Sequence, residues 1–162
     1  MRFVEGVAAV DDVGSFLDDV NGVAERTGAT VQAFDADYVV DRAHLERAVA
    51  LADRAVERGE NVARERAVEI LLYAAGRRQI DRALEMGVSA GRTRLVVLVD
   101  GGEEAAAAAA IADHLDPAET LGSYDEALVR DFFDVGDAEL DALDGGLTDV
   151  VHERVALLDV EK

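Results

Sequence analysis

Cysteine is missing from the 162 residues, which excludes a disulfide framework, a thiolate zinc site and a cysteine nucleophile. Histidine occurs only as His44, His114 and His152, too far apart for the paired ligands of an HExxH metal helix. Serine is as scarce, and Ser15, Ser89 and Ser123 sit in no GxSxG elbow. No run approaches the roughly 18 apolar residues of a membrane span, and MRFVEGVAAVDD lacks the apolar core of a secretion signal. The expectation is a soluble, cytoplasmic protein with no metal or other cofactor, no membrane partner and no enzyme activity.

Lysine is nearly absent too. Fifteen of the 16 basic residues are arginine, Lys162 is the only lysine, and 35 acids bring the formal charge to −19. An acidic surface with few lysines and many small residues reads as halophilic, archaeal-type adaptation to a salt-rich cytoplasm, in which most carboxylates are a solvated coat. Taken alone, the sign argues against a nucleic-acid partner. The charge is uneven, however: residues 42 to 94 hold eleven arginines against eight acids, a net of +3, while the remainder carries −22. One third of the chain is spared the coat.

The length fits a single domain spanning residues 1–162. Arg2 to Val10 reads as a strand, followed by a helix from about Asp12 to Arg26 that ends at Gly28. Ala29 to Asp35 is a second strand, and Asp41 is an N-cap for a long helix to Arg58, closed by Gly59. A third helix covers Ala63 to Ala75, and a short fourth one follows Gly76. Arg94 to Asp100 is an apolar run suited to a central strand. The alanine-rich stretch after Gly102 is a helix ended by Pro117. Beyond it come a short extended piece near Glu119 to Leu121, helices around Tyr124 to Phe133, after Asp137 and from Thr148, a turn at Gly145–Gly146, and a closing strand, Val155 to Val160. Four strands interleaved with unequal helices predict an α+β domain with a mixed sheet.

VLVDGGEEA sets two glycines between a strand and a helix, the context of a phosphate cradle. It lacks GxGxxG and GxxxxGK[ST], and Glu103 and Glu104 would repel a phosphate there. A nucleotide site at Asp100, Gly101 and Gly102 is therefore the weakest reading, and a plain tight turn the better one.

LLYAAGRRQIDRALEMGV holds a different signal. Glycine inside a helix costs about 1 kcal/mol relative to alanine, yet Gly76 interrupts an alanine-rich helix and is followed at once by Arg77 and Arg78. A helix that stops and restarts exposes N–H groups at its new N-terminus, which attract anions. Arg82 lies one turn beyond Arg78 on the same face. Gln79 adds amide donors, and Ile80 an apolar edge for a base or sugar. The alternative is a plain helix–turn–helix corner whose arginines pair with Asp81, Glu85 or Glu69.

The run from His44 to Val99, and above all EILLYAAGRRQIDRAL, resembles the small non-kinase subunit of the KEOPS complex, the family of the kinase-binding protein TPRKB. The order of elements agrees along nearly the whole chain, and the match is specific in the central third. The resemblance implies a non-catalytic subunit that binds the atypical kinase of the complex and the 3′ CCA end of tRNA, supporting threonylcarbamoyladenosine modification. Carried onto this chain, Gly76, Arg78, Gln79 and Ile80 fall in the matching motif, and Arg77 and Arg82 join by proximity. The family's basic residues elsewhere are acids here. In molar salt the Debye length falls to about 3 Å, so binding would depend on direct hydrogen bonds and apolar contact. For the kinase, TDVVHERVALL carries more apolar residues than one buried stripe needs. Val150, Val151 and Val155 are either a partner groove or part of the domain's own core. A rival reading is a protein-interaction module that regulates a kinase without contacting RNA.

Overall fold

The computed structural model describes residues 1–142 and 145–161. A four-stranded sheet divides two layers of helices. β1 (Arg2–Val10), β2 (Thr30–Asp35), β3 (Gly91–Asp100) and the two-residue β4 (Asp116–Pro117) lie in the order β2-β3-β1-β4. The α+β class is as the sequence implies, but all three pairings are antiparallel, where a mixed sheet was expected.

β3 shows why its sequence is a continuous apolar run. Leu95, Val97 and Val99 face one layer and Val96 and Leu98 the other, and all five are fully buried. A strand covered on both faces has no solvated side on which to place polar residues. The smaller layer packs α1 (Val13–Thr27) and α5 (Glu104–Ala112) on the sheet through Val20, Val23, Ala107 and Ile111. The larger layer holds α2 (Arg42–Glu57), α3 (Arg66–Ala75), the single-turn α4 (Ile80–Ala83), α6 (Glu126–Phe132), α7 (Asp137–Asp141) and α8 (Gly146–Glu161). Among the described residues no helix is long and apolar enough to cross a membrane.

Local signals placed several boundaries. The Asp41 carboxylate accepts the His44 N–H at 2.8 Å and caps α2. α3 starts three residues later than the helix read from the sequence, because Asn61 to Glu65 form a loop held by Glu69. That buried carboxylate accepts the N–H groups of Val62 and Ala63 at 3.0 and 2.9 Å. Residues 53 and 66 then join the two helices, with Arg66 bidentate on Asp53 and reaching Asp100 at 2.7 Å.

Two expectations after β3 need correction. Val155 to Val160 is the last part of α8, not a strand: Val151, Val155 and Leu158 recur at helical spacing and are buried together. The fourth strand is Asp116–Pro117, a few residues before the extended piece predicted at Glu119 to Leu121. Residues 120 and 121 are instead a strap, their N–H groups donating to Glu5 at 3.0 and 2.7 Å.

The Gly101–Gly102 turn is structural. A Cβ on Gly102 would lie 2.4 Å from the Gly28 carbonyl carbon, and Gly102 has a φ of +55°. The two turns flanking α1 and α5 touch backbone to backbone, with the Glu103 N–H donating to Thr27 O at 2.9 Å. Asp100 is engaged by Arg66. Gly102 thus serves packing between the turns, while Gly101 has open space around it and supplies a positive φ of 80°.

Candidate functional site

The helix break at Gly76 has two physical causes. Gly76 takes the left-handed conformation, φ +62° and ψ 33°, and ends α3 in a Schellman arrangement. Its N–H donates to Tyr73 O at 3.1 Å and the Arg77 N–H to Leu72 O at 3.0 Å. In addition, a Cβ at this position would meet Arg154 O of α8 at 3.3 Å. Alanine would suffer both the strained φ and the contact.

From this corner the side chains diverge. Arg77 turns inward: its guanidinium donates to Phe132 O, lies 5.1 Å from the centroid of the Phe132 ring, and keeps Nε buried without a partner. It is a strut between the corner and α6, and the structure does not bring it to the surface with its neighbours. Arg78, Gln79 and Ile80 are exposed, Ile80 at 43%. Arg82 is exposed as well and sits 3.5 Å from Glu85. Of the six residues singled out, Gly76 shapes the corner, Arg78, Gln79, Ile80 and Arg82 line its outside, and Arg77 anchors it.

The restarted helix is shorter than the sequence implied. α4 has four residues and passes into a 3₁₀ turn at Leu84–Met86, with Gln79 before it making no side-chain cap. A single turn has little macrodipole. Attraction for an anion at this corner therefore depends on the guanidinium groups and on first-turn N–H groups that have no partner within so short a helix.

Leu84, which sequence reasoning overlooked, enlarges the apolar edge. It is 54% exposed, one turn beyond Ile80. It lines a groove of about 170 Å³ with Leu17, Val68 and Leu71, between α1 and α3. The i, i+4 spacing of Ile80 and Leu84 was a readable signal for it.

Behind the corner, three side chains on α2 and α8 hold its shape. His44 on α2 is fully buried, and its Nε2–H donates to Ala74 O at 2.7 Å while Nδ1 accepts the Val40 N–H at 3.3 Å. Burial lowers its pKa to about 4, so the ring is neutral. His152 on α8 places Nε2 3.1 Å from both Asp41 oxygens. Arg154 donates to Phe133 O at 3.1 Å and Asp134 O at 3.3 Å, and forks onto Glu139. Asp134 has a positive φ of 54°, and the arginines 77 and 154 hold the successive carbonyls of Phe132, Phe133 and Asp134 at that turn.

The candidate kinase groove is not formed. Val150, Val151 and Val155 have no exposed surface and pack inside the domain. The surplus apolar residues of α8 exist because this helix is wedged between α2, α3 and α7 and needs a wide apolar face.

A comparison with curated proteins returns no match. The family model described as kinase binding protein CGI-121 matches residues 12–159. This stretch contains both layers and the whole Gly76 corner, and the chain belongs to the CGI-121 kinase-binding protein family.

Proposed function

We propose that this chain is the non-catalytic subunit of a KEOPS-like assembly, binding the atypical kinase and holding the 3′ CCA end of tRNA at the Gly76 corner. Kinase binding follows from family membership. The RNA reading is supported chiefly by the corner: a left-handed glycine, with the Arg154 carbonyl close behind it, turns Arg78, Gln79 and Ile80 outward together.

This combination suits a single-stranded RNA end. Its phosphates accept guanidinium forks and backbone N–H groups. Its unpaired bases can lie on an apolar edge such as Ile80 and Leu84. Aromatic stacking has no partner here, since Tyr73, the one aromatic residue of the motif, is buried with its hydroxyl 3.2 Å from Asp159.

Filter binding with intact tRNA and tRNA trimmed of its CCA tests the reading. Ile80→Glu or Arg78→Glu should abolish the preference for intact tRNA and leave the thermal midpoint unchanged. Full affinity of either variant at high salt removes the assignment.

A further inference from the structure

α2 carries a feature that neither the packing nor the Gly76 corner requires. Arg47, Arg54 and Arg58 are all exposed. At 3.6 residues per turn they fall within an arc of about 40° and span roughly 16 Å along the axis. Ala43 and Ala50, also exposed, occupy one side of the same face, and the half-buried Leu51 packs toward the core on the other, so no acid stands between the guanidinium groups of this ribbon.

In a chain of net charge −19, arginines would be expected to find carboxylates. Among the described residues these three lie in no ion pair. The acids of α2 are displaced to one flank of the ribbon, and two are already engaged. Glu46 pairs with Arg42 at 3.7 Å, and Asp53 with Arg66 at 2.7 Å. The third, Glu57, is exposed beside Arg58. Arg54 and Arg58 stand at i, i+4, a like-charge pair that weakens an isolated helix. An unneutralised, self-repelling cationic ribbon on an otherwise acidic protein is complementary to a regular polyanion.

The position of the ribbon fits an extended ligand. His44, in the first turn of α2, donates to Ala74 O in the last turn of α3 at 2.7 Å, so α2 starts beside the Gly76 corner and runs antiparallel to α3, away from it. We propose that the outer face of α2 is a phosphate-binding ribbon for the sugar–phosphate backbone of an RNA whose 3′ end lies at the Gly76 corner. The proposal rests on the RNA reading of that corner and adds to it a second, sequence-independent contact. Guanidinium forks on a backbone position a nucleic acid without reading its bases.

The test is the salt dependence of binding for wild type and the triple variant Arg47→Ala, Arg54→Ala, Arg58→Ala, with intact and CCA-trimmed tRNA. Each lost phosphate contact lowers the slope of log K against log salt by roughly 0.7–0.9. The triple variant should therefore lose about 2–3 from the slope on both RNAs, with a thermal midpoint equal to or above wild type. An unchanged slope overturns the ribbon, even where Ile80→Glu abolishes the preference for intact tRNA. A reduced slope with no effect of Ile80→Glu supports the ribbon and removes the corner. Wild-type protein that binds neither RNA overturns both. RNA binding left intact, with binding of polyglutamate lost in the triple variant, identifies an acidic protein surface as the ligand and also overturns the ribbon.

Discussion

The Gly76 corner and the inner face of α8 each carry a sequence signal that a plain packed helix does not need, a glycine followed by arginines in one and surplus apolar residues in the other, and the fold disposes of them in opposite ways. At the corner, the left-handed glycine ends α3 before its apolar stripe can continue, and Arg78, Gln79 and Ile80 are left outside. In α8, Val150, Val151 and Val155 are swallowed completely because three helices close around them. Surplus apolar residues alone do not mark a partner site. What separates the two regions is a backbone that breaks against one that continues.

The contrast predicts graded effects. The largest is Val151→Asp, which buries an unpaired carboxylate in the core and should unfold the domain, a loss of more than about 4 kcal/mol in urea titration. A folded, kinase-competent Val151→Asp protein would return α8 to the surface.

Next is the pH response of His44, the group that ties α2 to the corner. Its folded pKa of about 4 lies below the ordinary 6.5. The unfolded chain thus binds a proton first as pH falls. The stabilisation is complete above pH 6.5 and is lost progressively toward pH 4, amounting to about 3 kcal/mol at 1.36 kcal/mol per unit. Urea midpoints across this window should show the loss in wild type and a flatter profile in His44→Gln.

Gly76→Ala should cost about 1–2 kcal/mol, from the positive φ and the contact with Arg154 O. It should also displace the outer residues and weaken RNA binding, which separates it from a change that affects packing only. The smallest effect on stability belongs to Ile80→Glu, within about 0.5 kcal/mol by thermal melting. A large destabilisation there would mean that Ile80 serves the fold and not a ligand.

Much of the fold was legible because its signals are local. The Asp41 cap, the Gly28 and Gly76 stops and the two-sided apolar run of β3 all act within a few residues of themselves. VALLDV misled because apolar runs of that length suit a strand as well as a buried helix. Only the spacing back to Val151 and Leu147, both buried, distinguishes them. The inward turn of Arg77 was not legible, since its partner Phe132 lies 55 residues away. The same holds for Arg154, whose carbonyl explains Gly76 across 78 residues of chain.

The sequence by itself determined the Asp41 cap, the stops at Gly28 and Gly76, the central place of β3, and that the middle third is less acidic than the rest, because capping, periodicity and charge are properties of neighbouring residues. Only the tertiary structure decided which arginine anchors and which faces outward, that α8 is core, and that the sheet is antiparallel throughout. Those outcomes depend on which surfaces meet, and two residues far apart in the chain acquire a distance only when the elements between them have packed.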